Sequence, residues 1–74
     1  MAAQQAFVVQ AEDGWAVKVS GEVVDGPHRT QAEAKEAAGT WLLANGGGER
    51  VVLGEDGRIR DKDTIGRDDP RGNG

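Results

Sequence analysis

Thr30-Gln31-Ala32-Glu33-Ala34-Lys35-Glu36-Ala37-Ala38-Gly39-Thr40-Trp41-Leu42-Leu43-Ala44-Asn45-Gly46-Gly47-Gly48 is the stretch on which the fold turns. It reads as the only helix of the chain together with its stop signal. Thr30 and Glu33 form a capping box, in which the Thr hydroxyl accepts from the Glu33 N–H and the Glu carboxylate reaches back. Ala34, Ala37, Ala38, Trp41 and Leu42 recur at the spacing of a single apolar helix face. Gln31, Glu33, Lys35, Glu36 and Thr40 fall mostly on the other side. Asn45-Gly46-Gly47-Gly48 ends the helix, because Asn and Gly accept the left-handed conformation of a last turn. The one large aromatic on the apolar face, Trp41, is expected to hold the helix down.

A helix with one apolar face needs a surface to cover, and the flanking sequence supplies strands. Residues 1–5 are small and polar, and fraying is expected there. Ala6 to Ala11 is rich in β-formers, with Phe7 and Val9 expected to face the core. Glu12-Asp13-Gly14 is a hairpin signal. Trp15 to Ser20 then alternates, placing Trp15, Val17 and Val19 on one face. A turn at Ser20-Gly21-Glu22 leads to Val23-Val24, a short strand interrupted by Asp25-Gly26-Pro27. Pro27 has no N–H to give a ladder, so this strand belongs at an edge or carries a bulge. Beyond the helix, Val51-Val52-Leu53 is a fourth strand. Glu55-Asp56-Gly57 repeats the earlier turn, and Arg58 to Ile65 is the fifth extended segment.

The order strand-strand-strand-helix-strand-strand argues for an α+β fold, an antiparallel sheet with one helix packed on one face. The expected core is Phe7, Val9, Trp15, Val17 and Val19 against Ala34, Ala38, Trp41 and Leu42. The second sheet face is expected to hold little apolar material and to meet water or a partner. Residues 1–66 form one small domain, since a chain of 74 residues allows no more. Residues 67–74 carry no large apolar side chain and are expected to be a disordered tail.

The chain has no Cys, which removes disulfides and thiolate metal sites. Its start has no basic residues and no apolar run follows, so no signal peptide is expected, and no stretch is long enough to cross a bilayer. A cytoplasmic location is the expectation. Net charge is −4, which disfavours non-specific attraction to nucleic acid or anionic membrane. The charge is asymmetric: residues up to Gly48 hold three basic and six acidic side chains, and those after it hold six and seven.

Three blocks carry a family resemblance: Asp13-Gly14-Trp15-Ala16-Val17-Lys18, Thr30-Gln31-Ala32-Glu33-Ala34, and Asp56-Gly57-Arg58-Ile59-Arg60-Asp61-Lys62-Asp63-Thr64-Ile65-Gly66. Together they make the chain similar, from about Phe7 to Gly66, to the bacterial family catalogued as domain of unknown function number 2188. The last block is the most specific. The resemblance implies a small bacterial protein with no established activity, substrate or cofactor, and it transfers no functional residue. The chain departs from the pattern at Ile65, where an aromatic residue is expected, and in its longer glycine run after the helix.

Catalytic machinery is not expected. One His, no Cys, no Tyr and one Ser leave almost no material for a nucleophile, a base and its orienting group. His28 stands near Asp25 beside a Gly-Pro turn and reads as a solvated side chain before the helix cap. The carboxylate pairs Glu12/Asp13 and Glu55/Asp56 are explained by turn chemistry. Aligning Gly57 with the obligatory glycine of a calcium loop puts Val52 and Gly54 at ligand positions, and neither offers a side-chain oxygen. Gly46-Gly47-Gly48 follows a helix and precedes a strand, the reverse of a phosphate-binding loop. No cofactor, metal or small-molecule substrate is therefore expected. The remaining candidate surface is basic: Arg58, Arg60 and Lys62 at period two, with Arg50 on the neighbouring strand. Two functions follow. One is a small interaction module that binds protein, or another copy, through the open sheet face or edge. The alternative is weak nucleic-acid or anion binding through the basic strand face.

Overall fold

The structure is a computed structural model and describes residues 4–66; the tail expected over residues 67–74 lies outside them, as do residues 1–3. The elements are β1 (Gln5–Ala11), β2 (Gly14–Val19), β3 (Glu22–His28), α1 (Gln31–Ala44), β4 (Gly48–Leu53) and β5 (Ile59–Ile65). One helix lies on a five-stranded sheet of order β3-β2-β1-β4-β5, which is an α+β fold. The sheet is mixed, because β1 and β4 pair parallel in its middle while every other pair is antiparallel. This corrects the purely antiparallel expectation. Each element reverses the chain, so β3 runs with β1, α1 runs back across the sheet, and β4 enters from the same end as β1. The crossover through α1 is what a parallel pair requires.

The helix begins as its sequence dictates. Thr30 Oγ1 accepts from the Glu33 N–H at 3.1 Å. The Glu33 carboxylate reaches one residue beyond the cap and accepts from the Arg29 N–H at 3.2 Å. Thr30→Ala removes one of these acceptors and should lower stability by about 1 kcal/mol, read from a urea or thermal melt; an unchanged midpoint would mean that the cap contributes nothing. At the other end Gly46 has φ +95° and the Gly47 N–H returns to the Leu42 carbonyl at 2.6 Å, the hydrogen bond of a Schellman turn. Gly48 then starts β4 at φ +155°, and a Cβ there would lie 2.3 Å from the Gln4 carbonyl oxygen. Gln4 itself is anchored, since its side chain donates to the Asn45 and Gly47 carbonyls and its own carbonyl accepts from Glu49. Order thus extends into the segment expected to fray.

The core under α1 consists of Ala6, Val8, Val17 and Val52 against Ala34, Ala38 and Leu42, all at 2 % exposure or less. Trp15, Val19, Ala37, Trp41 and Ile65 are partly buried around it. Trp41 is thus a margin residue, and Leu42 is the large side chain at the centre. The register pairs Val8 with Val17 and Ala6 with Val19, while Phe7 lies opposite Lys18 and Val9 opposite Ala16. Phe7 and Val9 therefore face away from the helix, which corrects the expected core. The reason is steric. A helix face built on Ala34 and Ala38 approaches the sheet closely and selects the small Ala6 and Val8 beneath it, leaving the bulky Phe7 for the other side. β3 is an edge strand with register shifts against β2 and a cis Gly26–Pro27 bond, in keeping with the reading of Pro27.

Candidate interaction surface

The face turned away from α1 is built by strand alternation alone. Cross-strand pairing aligns Val23, Lys18, Phe7, Val51 and Lys62 in one row across all five strands. Ala16 and Val9 stand side by side in the next row, and Leu53 stands beside Ile59 in the same direction along β4 and β5. Val51 is only 1 % exposed and Ala16 4 %, although both lie on the face turned away from the helix. Val23 and Ile59 stand out at 56 % and 61 % exposed. A shallow groove of about 190 Å³ toward β3 is lined by Ala11, Ala16, Val23 and Pro27 together with the acidic Glu12 and Asp13. An apolar sheet face left open in this way differs from the polar outer face that antiparallel sheets commonly present to water. It also differs from the expectation of little apolar material on this side.

Polar groups sit at the margins. Glu49 pairs with Gln5 on one side and Thr64 on the other, and its carboxylate takes a hydrogen bond from Gln5 Nε2 at 3.0 Å. Lys62 Nζ lies 3.6 Å from the same carboxylate. Lys18 has no ion-pair partner among the described residues.

The four basic residues singled out from the sequence do not share a surface. A register shift between Val52/Asp61 and Leu53/Ile59 makes Arg60 the extra residue of a bulge, so the period of two breaks there. Arg60 lines a groove with Trp15 and Gln31 on the helix side, its Nε close to Gly54. Arg58 precedes β5 in the turn, 86 % exposed, 3.9 Å from Asp56. Lys62 is on the open face. Arg50 lies between sheet and helix: its Nη2 donates to Asp63 at 2.6 Å and its Nη1 to the Lys35 carbonyl at 3.3 Å. The guanidinium fits there because residue 39 is glycine; a Cβ at Gly39 would be 2.9 Å from Nη1.

A family model described as an uncharacterized protein conserved in bacteria (DUF2188) matches residues 6–65. The chain belongs to this family. No curated protein and no solved structure matches it. The matched span of this DUF2188 chain takes in the helix and all of the strands except Gln5 at the start of β1, and Ile65, where the resemblance led to the expectation of an aromatic residue, packs at the margin of the core.

The helix side carries the other polar constellation. Lys35 Nζ lies 2.8 Å from Asp61. That hydrogen bond, with the lysine's charge, holds the Asp61 carboxyl below its ordinary value. A depressed carboxylate adds stability above its unfolded pKa and loses it as the pH falls through the folded value, so this contact weakens only in acid. Between β3 and α1 runs a groove of about 580 Å³ lined by Asp25, His28, Glu33, Glu36 and Trp41. His28 Nε2 is 3.4 Å from Asp25 Oδ2. His28, expected to be a solvated side chain, is half-buried at the end of β3 in this groove. Among the described residues no three His, Cys, Asp or Glu side chains cluster as metal ligands, and no helix is long and apolar enough to cross a membrane.

Proposed function

We propose that this protein is a non-enzymatic, cytoplasmic interaction module whose open sheet face docks a protein partner. The observation that carries the reading is the row Val23–Lys18–Phe7–Val51–Lys62 with Val9, Leu53 and Ile59 beside it, an apolar area on the face opposite the helix. The edges support it less well. β3 is bulged and contains Pro27, which cannot donate to an added strand. β5 alternates Asp61, Lys62 and Asp63, and the Lys62 N–H is already bonded to the Asp61 carboxylate at 2.9 Å. Charges of this kind keep an edge from pairing. The scatter of Arg50, Arg58, Arg60 and Lys62 removes the support that period two lent to the nucleic-acid alternative.

The test is site-specific photo-crosslinking in living bacteria. A photoreactive residue at Ile59 or Val23 should give discrete protein adducts, and one at Ala32, exposed on the helix, should not. Equal adducts from all three positions, or none from the sheet positions, would remove the reading. A titration of the labelled protein with short duplex and single-stranded nucleic acid at low salt completes the test. Amide shifts confined to residues 58–62 would favour the alternative instead.

A further inference from the structure

Resting on the open-face reading, we infer that the occupant of that face is an amphipathic helix of a partner protein, with acidic residues flanking its apolar stripe. Lys18 on β2 and Lys62 on β5 stand in the same row, with Phe7 and Val51 between them. Three strand spacings separate the two lysines, or about 14 Å. That interval admits one helix, whose diameter with side chains is about 10–12 Å. Its stripe would rest on the half-buried Phe7, Val9 and Leu53, with the buried Val51 between them, and its flanks would meet an ammonium group on each side. Lys62 is partly offset by Glu49, whereas Lys18 has no ion-pair partner among the described residues, so the vacancy is for negative charge.

The other occupants fit less well. A second copy would bring two lysine-bearing rows together between molecules that each carry a net charge of −4. Residues 67–74, Arg-Asp-Asp-Pro-Arg-Gly-Asn-Gly, offer no large apolar side chain to lay on Phe7 or Val9. A helix on this sheet also has a precedent within the fold, since α1 covers the opposite face of the same strands.

The experiment uses the full chain, isotopically labelled, and two synthetic helical peptides of about 15 residues, long enough to hold helical structure when docked. Both carry Leu at the i, i+3, i+4, i+7 positions. One is flanked by Glu and the other by Lys. The Glu peptide should bind at least about tenfold more tightly at low salt, with amide shifts centred on residues 7–9 and 51–53, and the gap should close as salt rises. Lys18→Gln with Lys62→Gln, checked for an unchanged melt, should abolish the preference. Equal affinity for the two peptides, or shifts centred on α1, would overturn the inference. Concentration-dependent shifts of the same face with no response to either peptide would overturn it while leaving the open face as an interface between copies. No response to peptide or concentration, combined with no crosslinks from Ile59, would remove both readings.

Discussion

Leu42→Ala should be the most damaging single truncation in the chain, costing about 3–5 kcal/mol as a large-to-small change at a site that cannot collapse. Leu42 is 0 % exposed and is the largest of the fully buried side chains. It closes the core over Val8, Val17 and Val52, and it lies against the start of β4, where a Cβ at Gly48 would be 3.1 Å from its Cδ2. The same residue's carbonyl accepts the helix-terminating bond from Gly47. A domain of this size has only about 5 kcal/mol in hand, so the variant should lack a cooperative melt near room temperature. Trp41→Ala should cost less, about 1–3 kcal/mol, because Trp41 stays partly exposed at the groove beside Asp25 and Glu33. Parallel urea titrations decide the order. If Trp41→Ala proved the more damaging of the two, the placement of Leu42 at the centre of the core would be wrong.

That order reverses the weight a sequence reading gives to the larger side chain, and the reason is local. Helix periodicity places Trp41 and Leu42 on the same apolar face but does not say which is central and which lies at the rim. The cap at Thr30 and the stop at Asn45-Gly46 were legible, because both are backbone chemistry settled within a few residues. The orientation of β1 was not. Ala6, Phe7, Val8 and Val9 are all apolar, so alternation has no phase until pairing with Val17 supplies one. The same ambiguity hid the open apolar face, the main feature of the candidate site. In β5 the pattern Arg58, Arg60, Lys62 assumed an unbroken period of two. One bulge at Arg60 undid it, and no residue type there announces a bulge. The parallel β1–β4 pair could have been inferred in part. Alternating chain reversals make β1 and β4 run the same way, but nothing in the sequence shows that they are neighbours.

Arg50 is the residue whose role depended most on the third dimension, and its environment makes a separable prediction. It occupies the space between sheet and helix with its side chain 16 % exposed, held by Asp63 and the Lys35 carbonyl, and its Nε has no partner among the described residues. Removing the partner and removing the charge should therefore have different consequences. Asp63→Ala leaves a largely buried guanidinium with one carbonyl contact. An orphaned charge of this kind costs about 1–3 kcal/mol, with the lower half expected here because the Asp63 side chain is 41 % exposed and water can replace part of the carboxylate. Arg50→Leu removes the charge and fills much of the same volume beneath Gly39, so its effect should lie within about 1 kcal/mol of zero. In the Arg50→Leu background, Asp63→Ala should then cost almost nothing. A double-mutant cycle on the four proteins, read by urea denaturation at moderate salt, measures the difference. Arg50 would be a true stabilising contact, and not a charge that must merely be kept satisfied, if Arg50→Leu turned out the more harmful substitution. The expected outcome also bears on function: a guanidinium committed to Asp63 beneath the helix is withdrawn from any anion at the surface.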